Sequence, residues 1–209
     1  MAIKDYNQLN SLELDTLREI GSIGSGNAAT SLSSLIGQPV RIQTPEVRIM
    51  GYNEAIEWIG GPEPITAGVL VGMSGQLSGI MLSVQQLDFV NLVLESMMDQ
   101  HVDDYAQLDE ISKSALIEVG NIMISTFINA LSGLTGLEIN LTVPAFTVDM
   151  QGAIMTVPMA EYGGQSNYIM TIGGNFVCNG KEIPCRLLLS PDIRSLNFLL
   201  RRLGVSGGD

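Results

Sequence analysis

Apolar residues recur with a helical period in two long stretches of the chain. Leu14, Leu17, Ile20, Gly24, Ala28 and Leu35 form one stripe of a 3.6-residue repeat that Gly37 and Pro39 bring to an end, so the spacing predicts a helix over residues 11–36. Leu116, Met123, Phe127, Leu131 and Leu134 form a second stripe, which predicts a helix over residues 109–135 that stops at Gly136. Asn10 or Ser11 can cap the first helix, with Glu13 suiting the dipole in its first turn, and Asp109 can cap the second.

The other segments read more briefly. Residues 1–9 form a loose lead-in, residues 40–50 alternate around Pro45 as an edge or interrupted strand, and residues 51–63, with Trp58 and Gly60-Gly61-Pro62, form a loop. Leu87, Val90, Leu94 and Met97 predict a helix over residues 86–97, followed by an acidic linker that holds His101. Residues 138–150 repeat the strand pair around Pro144, residues 152–166 are irregular, and residues 168–189 form a hairpin turning at Asn179-Gly180. Pro191-Asp192 opens a last helix with Leu196, Leu199 and Leu200 inward, and residues 204–209 are expected to fray.

Opposite the apolar face of the second helix runs a polar stripe. Ser114, Glu118 and Asn121, spaced four and three apart, project together from one side. Asp15, Glu19 and Ser22 repeat the spacing in the first helix, and after 22 intervening residues each copy meets a proline, Pro45 or Pro144. A shift of 99 residues also superposes Gly21 on Gly120, Ile23 on Ile122, Leu32 on Leu131, Leu35 on Leu134 and Gly37 on Gly136. The chain is therefore a tandem duplication, read as one domain with repeats at about 10–99 and 108–204, because either half alone would bury too little surface. The uncharged run at 64–87 carries Gly68 and Gly72 in a GxxxG spacing that resembles a membrane span. Its counterpart in the second half holds the charged turn Asn179-Gly180-Lys181-Glu182, so the run is expected to be a buried hairpin turning at Ser74-Gly75. The predicted architecture is α+β: a pseudo-two-fold pair of long motif-bearing helices packed on a mainly antiparallel sheet.

Composition narrows the chemistry. With 22 acids against 10 bases, a net charge of -12 repels nucleic-acid backbones and anionic headgroups and favours a partner with a basic patch. The first residues, MAIKDYNQ, lack the pattern of a signal segment, which points to the cytoplasm. The hairpin turn pairs residue 178 with 181 and 185 with 174, which separates Cys178 and Cys185 by on the order of 13 Å along the sheet, too far for a disulfide. Both are read as free thiols. A single histidine leaves no Ser-His-Asp or Cys-His reading, nothing resembles a zinc or EF-hand pattern, and Gly21, Gly24 and Gly26 lack the strand and Lys-Ser/Thr of a phosphate loop. Catalysis would then fall to Glu and Asn. A carboxamide does not titrate, but it can hold a water in line with a phosphorus atom, which is much of what phosphoryl transfer asks of a protein.

The twice-occurring pattern of Asp or Ser, three residues, Glu, two residues, Asn, 22 residues and Pro, with the phrases EIGSIGSGNAATSLSSLIG and EVGNIM, resembles the CheC, CheX and FliY chemotaxis phosphatases, and two copies in one chain resemble the CheC type most. The resemblance implies a substrate, the phosphoaspartate of a CheY-type response regulator, which supplies its own magnesium and lysine, so that the chain needs no cofactor of its own. It implies that Asn121 orients the hydrolytic water and that Glu118 pairs with the regulator's lysine, with Glu19 doing the same at the first site and Asp15 and Ser114 in partner binding. Ser22 stands where the family has Asn, which implies a weaker or silent first site. The alternative is a catalytically weak binding module, either a partner of the receptor deamidase CheD or a flagellar-switch-like interaction protein.

Overall fold

The structure, a computed structural model, describes residues 2–164 and 166–205. In chain order its elements are α1 (Ser11–Ile36), β1 (Val40–Gly51), α2 (Tyr52–Ile59), β2 (Ile65–Gly75), β3 (Gly79–Gln85), α3 (Leu87–Met98), α4 (Glu110–Thr135), β4 (Ile139–Leu141), β5 (Ala145–Met150), α5 (Gln151–Tyr162), β6 (Tyr168–Cys178), β7 (Lys181–Pro191) and α6 (Ile193–Arg202). Single 3-10 turns at Tyr6–Gln8 and Tyr105–Gln107 precede the two long helices.

Both long helices start and stop where side chains and backbone require. Asn10 Oδ1 accepts from the Glu13 amide at 3.0 Å while Glu13 Oε2 accepts from the Asn10 amide at 2.9 Å, a reciprocal box that satisfies two orphan donors. Glu13 is only 3% exposed, so its role is this local pairing more than a surface dipole contact. Asp109 caps α4 by accepting from the Ser112 amide at 2.7 Å and the Ser112 hydroxyl at 2.6 Å. At the far ends Gly37 and Gly136 take left-handed φ of 66° and 68°, which a Cβ would oppose.

The strands form one antiparallel sheet in the order β1-β6-β7-β3-β2-β4, with β5 pairing β2 beside β4. The two hairpins meet at β3 and β7. The remaining strand of each half then crosses to the other half's hairpin, β1 onto β6 and β4 with β5 onto β2. Neither half owns a complete sheet. A two-fold relating antiparallel neighbours β3 and β7 stands perpendicular to the sheet, and it keeps α1 and α4 on one face while turning them antiparallel. The larger core lies under these helices with α3 and α6; on the opposite face α2 and α5 bury Tyr52, Ala55, Ile59, Ile154 and Met155 against Leu82, Val84, Ile169 and Leu188. By length and composition α4 could cross a membrane, but here its apolar side is core: Leu116, Met123, Phe127 and Leu131 are buried.

Several expectations are corrected. Residues 51–63 are not a loop throughout, because Tyr52, Ala55 and Ile59 give one buried face to α2, which stops only at Gly60. The stretch 152–166, expected to be irregular, is largely α5, which continues through Pro158, whose carbonyl accepts from Tyr52 Oη at 3.2 Å. The hairpin of the first half turns at residues 76–78, beyond Ser74-Gly75, since β2 runs on to Gly75. Leu134 is 49% exposed, so the inward stripe of α4 ends one turn earlier, at Leu131, whereas that of α1 continues through the half-buried Leu35 to the buried Ile36.

The lead-in is packed as well. Ile3, Tyr6 and Leu9 are buried, and Tyr6 Oη donates to the Pro191 carbonyl at 2.6 Å. At the same shift of 99, Tyr105 Oη donates to the Gln85 carbonyl at 3.0 Å, and Gln8 and Gln107 each accept from the backbone amide four residues earlier at 2.8 Å. DYNQLN and DYAQLD thus make equivalent contacts in the two halves. The second hairpin has the expected register, Cys178 opposite Lys181 and Gly174 opposite Cys185, over a turn with Asn179 and Gly180 at φ 51° and 80°. Both thiols are free and buried, and burial pushes Cys185 up to about 12. Of the frayed segment expected at 204–209, residues 206–209 lie outside the described residues.

Candidate functional site

The two polar stripes are displayed on a rigid helix pair. Gly24 of α1 lets the Phe127 ring of α4 approach closely, and Ser31 Oγ lies 3.0 Å from Thr126 Oγ1. These contacts fall on the C-terminal side of both motifs. With the helices antiparallel, the motifs lie at opposite ends of the pair, as two separate sites. Asp15, Glu19, Ser22, Ser114 and Glu118 are exposed and Asn121 is half-buried. Asp15 is held by Arg18 at 2.8 Å, and Ser114 Oγ donates to the Glu110 carbonyl at 2.7 Å. Among the described residues, the side chains of Glu19, Ser22, Glu118 and Asn121 make no hydrogen bond or ion pair. A free carboxylate and a free carboxamide on one stripe can receive a cation and a water from outside.

The motifs rest on different supports. Gly21 backs directly onto Val47 of β1, an apolar contact. Gly120 backs onto β2 and β3, where an added Cβ would stand 2.7 Å from Val69 Cγ2 and 2.9 Å from Gln85 Nε2. The Gln85 amide uses that space to donate to the Leu116 carbonyl at 3.0 Å, one turn before Gly120. The Gln85 backbone carbonyl accepts from Thr66 Oγ1 at 3.1 Å and from Tyr105 Oη at 3.0 Å. Burial raises the Tyr105 phenol above its ordinary value, which keeps it a donor. Gln85 is fully buried, and its Oε1 has no partner among the described residues. This polar node under Glu118 and Asn121 was not read from the sequence; the available signal was a glutamine inside the uncharged strand run.

The distant prolines both sit at breaks in edge strands. Pro45 lies in the β1 bulge, where Thr44 has φ 46° and the register slips between Gln43 and Glu46; Pro144 lies in the gap between β4 and β5. A cavity of about 610 Å³ opens beside the first motif, lined by Leu14, Arg18, Pro45, Arg48 and Glu54 among others. Arg48 pairs with Glu46 at 2.6 Å. At the 99-residue shift, Lys113, Ile117 and Thr147 replace Leu14, Arg18 and Arg48, so the two sites differ in charge as well as in their key residues. No metal-ligating group of three or more His, Cys, Asp or Glu occurs among the described residues, and His101 instead bonds Glu95 at 2.6 Å.

Two segments, residues 12–49 and 111–148, match the model of the CheC-like family. The chain is 25% identical over 206 residues to the CheY-P phosphatase CheC of Bacillus subtilis (strain 168), over 96% of this chain and 98% of that protein. Its fold is similar to that of Thermotoga maritima FliY, with a TM-score of 0.72 at 22% identity over 96% of this chain and 100% of that one. It is also similar to a chain of the CheX-CheY-BeF3-Mg2+ complex from Borrelia burgdorferi, with a TM-score of 0.52 at 16% identity over 83% and 96% of the two chains. Each matched segment holds one motif helix and the proline-broken edge strand after it, and that repeated unit is what the chain shares with the CheC-like family.

Proposed function

We propose that this chain hydrolyses the phosphoaspartate of a CheY-type response regulator in chemotaxis signalling, with the second motif as the working site. The observation that carries the reading is the unpartnered Glu118 and Asn121 on one face of α4, fixed from beneath by Gln85 and Gly120. The relative named CheY-P phosphatase and the similar chain from a complex with CheY support the partner class. The regulator lies along the exposed face of α4, where Glu118 takes up its lysine and holds the two proteins in register. The Asn121 carboxamide enters the regulator's site, accepts a hydrogen bond from a water and orients that water in line with phosphorus. The water oxygen bonds to phosphorus, the bond from phosphorus to the aspartyl oxygen breaks, and inorganic phosphate leaves the restored carboxylate. Magnesium for this step belongs to the phosphorylated regulator. Such a substrate places the reaction in the cytoplasm.

The first motif docks more than it catalyses. Glu19 is as free as Glu118, but Ser22 ends in a single hydroxyl, shorter in reach than a carboxamide and with one donor hydrogen where the amide has two. The test is the decay of phosphorylated CheY with and without the chain. Faster decay with the chain supports the reading. Binding without acceleration would sink the phosphatase assignment and favour the binding-module alternative, whose CheD arm a direct binding titration then checks.

A further inference from the structure

Each motif stripe begins one turn before its first polar residue, at an aliphatic side chain standing in water. Leu12 is 58% exposed and Ile111 69%. Leu12, Asp15, Glu19 and Ser22 share one side of α1, as Ile111, Ser114, Glu118 and Asn121 share one side of α4. Leu12 and Ile111 superpose at the shift of 99 that relates the two motifs. Neither has an internal role: both are absent from the core and from the residues packed against it, and at the entry to α1 the apolar positions that do reach the core are Leu9 and Leu14. The halves have diverged along this stripe, Asp15 against Ser114 and Ser22 against Asn121, yet both hold a bulky aliphatic at its head. A lone exposed leucine needs no explanation. Two at equivalent points, each heading a stripe that ends in an unpartnered pair, Glu19 with Ser22 and Glu118 with Asn121, do.

We propose that Ile111, and Leu12 at the first site, are the apolar anchors that dock the phosphorylated regulator. This rests on the function proposed above and names the contact that supplies its affinity. A partner that puts its phosphorylated carboxylate at Asn121 and its lysine at Glu118 extends along the same side of α4. Ten residues of helix separate Ile111 from Asn121, on the order of 15 Å, well inside the footprint of a specific interface. The partner therefore carries an apolar recess about that far from its phosphoaspartate, and the isoleucine fills it as a desolvated anchor flanked by the polar contacts.

The experiment uses the whole chain with CheY phosphorylated by acetyl phosphate, and in parallel a binding titration against CheY loaded with BeF3 and Mg2+. Ile111→Ser should raise KM about tenfold with kcat within about twofold of the parent. Asn121→Ala should lower kcat and leave the titration unchanged. Leu134→Ser, an exposed aliphatic of the same helix away from the stripe, should leave both constants unaltered. Equal KM in the parent and Ile111→Ser, or a fall confined to kcat, overturns the anchor while the phosphatase reading stands. If the parent fails to hydrolyse phosphorylated CheY, that reading falls and the titration alone decides, lost affinity in Ile111→Ser supporting the anchor and unchanged affinity overturning it. A change of oligomeric state in Ile111→Ser with unaltered affinity also overturns it, in favour of a second copy as the occupant.

Discussion

The two motif helices are alike at their ends, and differ along the motif stripe and in what lies beneath it. Each follows a 3-10 turn tethered by a tyrosine to a strand carbonyl, opens on a side-chain cap and closes on a left-handed glycine. On the exposed side Asp15 stands against Ser114 and Ser22 against Asn121. The first stripe lies beside a charged cavity and over Val47, the second over the Gln85 node. Burial holds the fold to its duplicated plan, whereas an exposed carboxamide can become a serine at almost no cost in stability. One copy of a site can therefore lose its chemistry while the helix beneath it stays as it was.

The largest effect should separate the two sites outright. Asn121→Ala should reduce hydrolysis of phosphorylated CheY by about a hundredfold or more, the scale of losing a group that acts in the transition state, with stability changed by only about half a kcal/mol. Ser22→Ala should leave the rate close to the parent's. Equal losses in the two variants would erase the distinction between the sites.

Next come the supports. Gly120→Ala pushes a methyl into Val69 and Gln85, and Gly21→Ala pushes one into Val47. Overpacking of this kind costs about 1–3 kcal/mol, so both should lower the denaturant midpoint. Only Gly120→Ala should also slow hydrolysis in the folded protein, because it displaces the amide that holds Leu116. Gly26→Ala is the control in the same helix type: no atom lies within 4 Å of its added Cβ, so it should stabilise by about 0.4–1 kcal/mol.

A smaller gain is expected from repair. Ser22→Asn should raise the hydrolysis rate by no more than about twofold, or leave it unchanged, since Glu19 is already displayed beside it. A fall in rate in a well-folded variant would show that the serine has work of its own.

The smallest difference lies in the caps. Hydrogen bonds from Ser112 hold the Asp109 carboxyl below its ordinary value of 3.8. A carboxyl lowered by folding contributes stability that is full above its unfolded value and is lost as pH falls through the folded one. Thermal midpoints from pH 7 to pH 3 should therefore fall more steeply in the parent than in Asp109→Asn, whose cap cannot titrate. Parallel curves would mean that the charge of this cap contributes nothing.

What could be read from the sequence follows the range of the interactions. The limits of α1 and α4 were legible because Asn10, Asp109, Gly37 and Gly136 act within a few residues, and the register at Cys178 and Cys185 because Asn179-Gly180 sets it locally. Both motif stripes are on the surface for the same reason. The misses are tertiary. Residues 52–59 form a helix that Gly60-Gly61 end but do not prevent, and residues 151–162 carry a breaker, Pro158, that packing on the sheet overrides. The burial of Tyr6 depends on Pro191, and the role of Gln85 depends on a helix that begins a full element later in the chain.

The exchange of edge strands has a consequence for how the chain comes off the ribosome. β1 has no partner until β6 emerges, because Val40 pairs with Cys178 and Gly51 with Tyr168. At usual rates of synthesis that is a wait on the order of ten seconds. During that time the hairpin of β2 and β3 is already made, with both of its outer edges open: one is later taken by β4 and β5, the other by β7. Open edges accept any strand offered, including the same segment of a neighbouring nascent chain. The arrangement that makes the finished molecule inseparable thus leaves its first half dependent on being shielded until the second is translated.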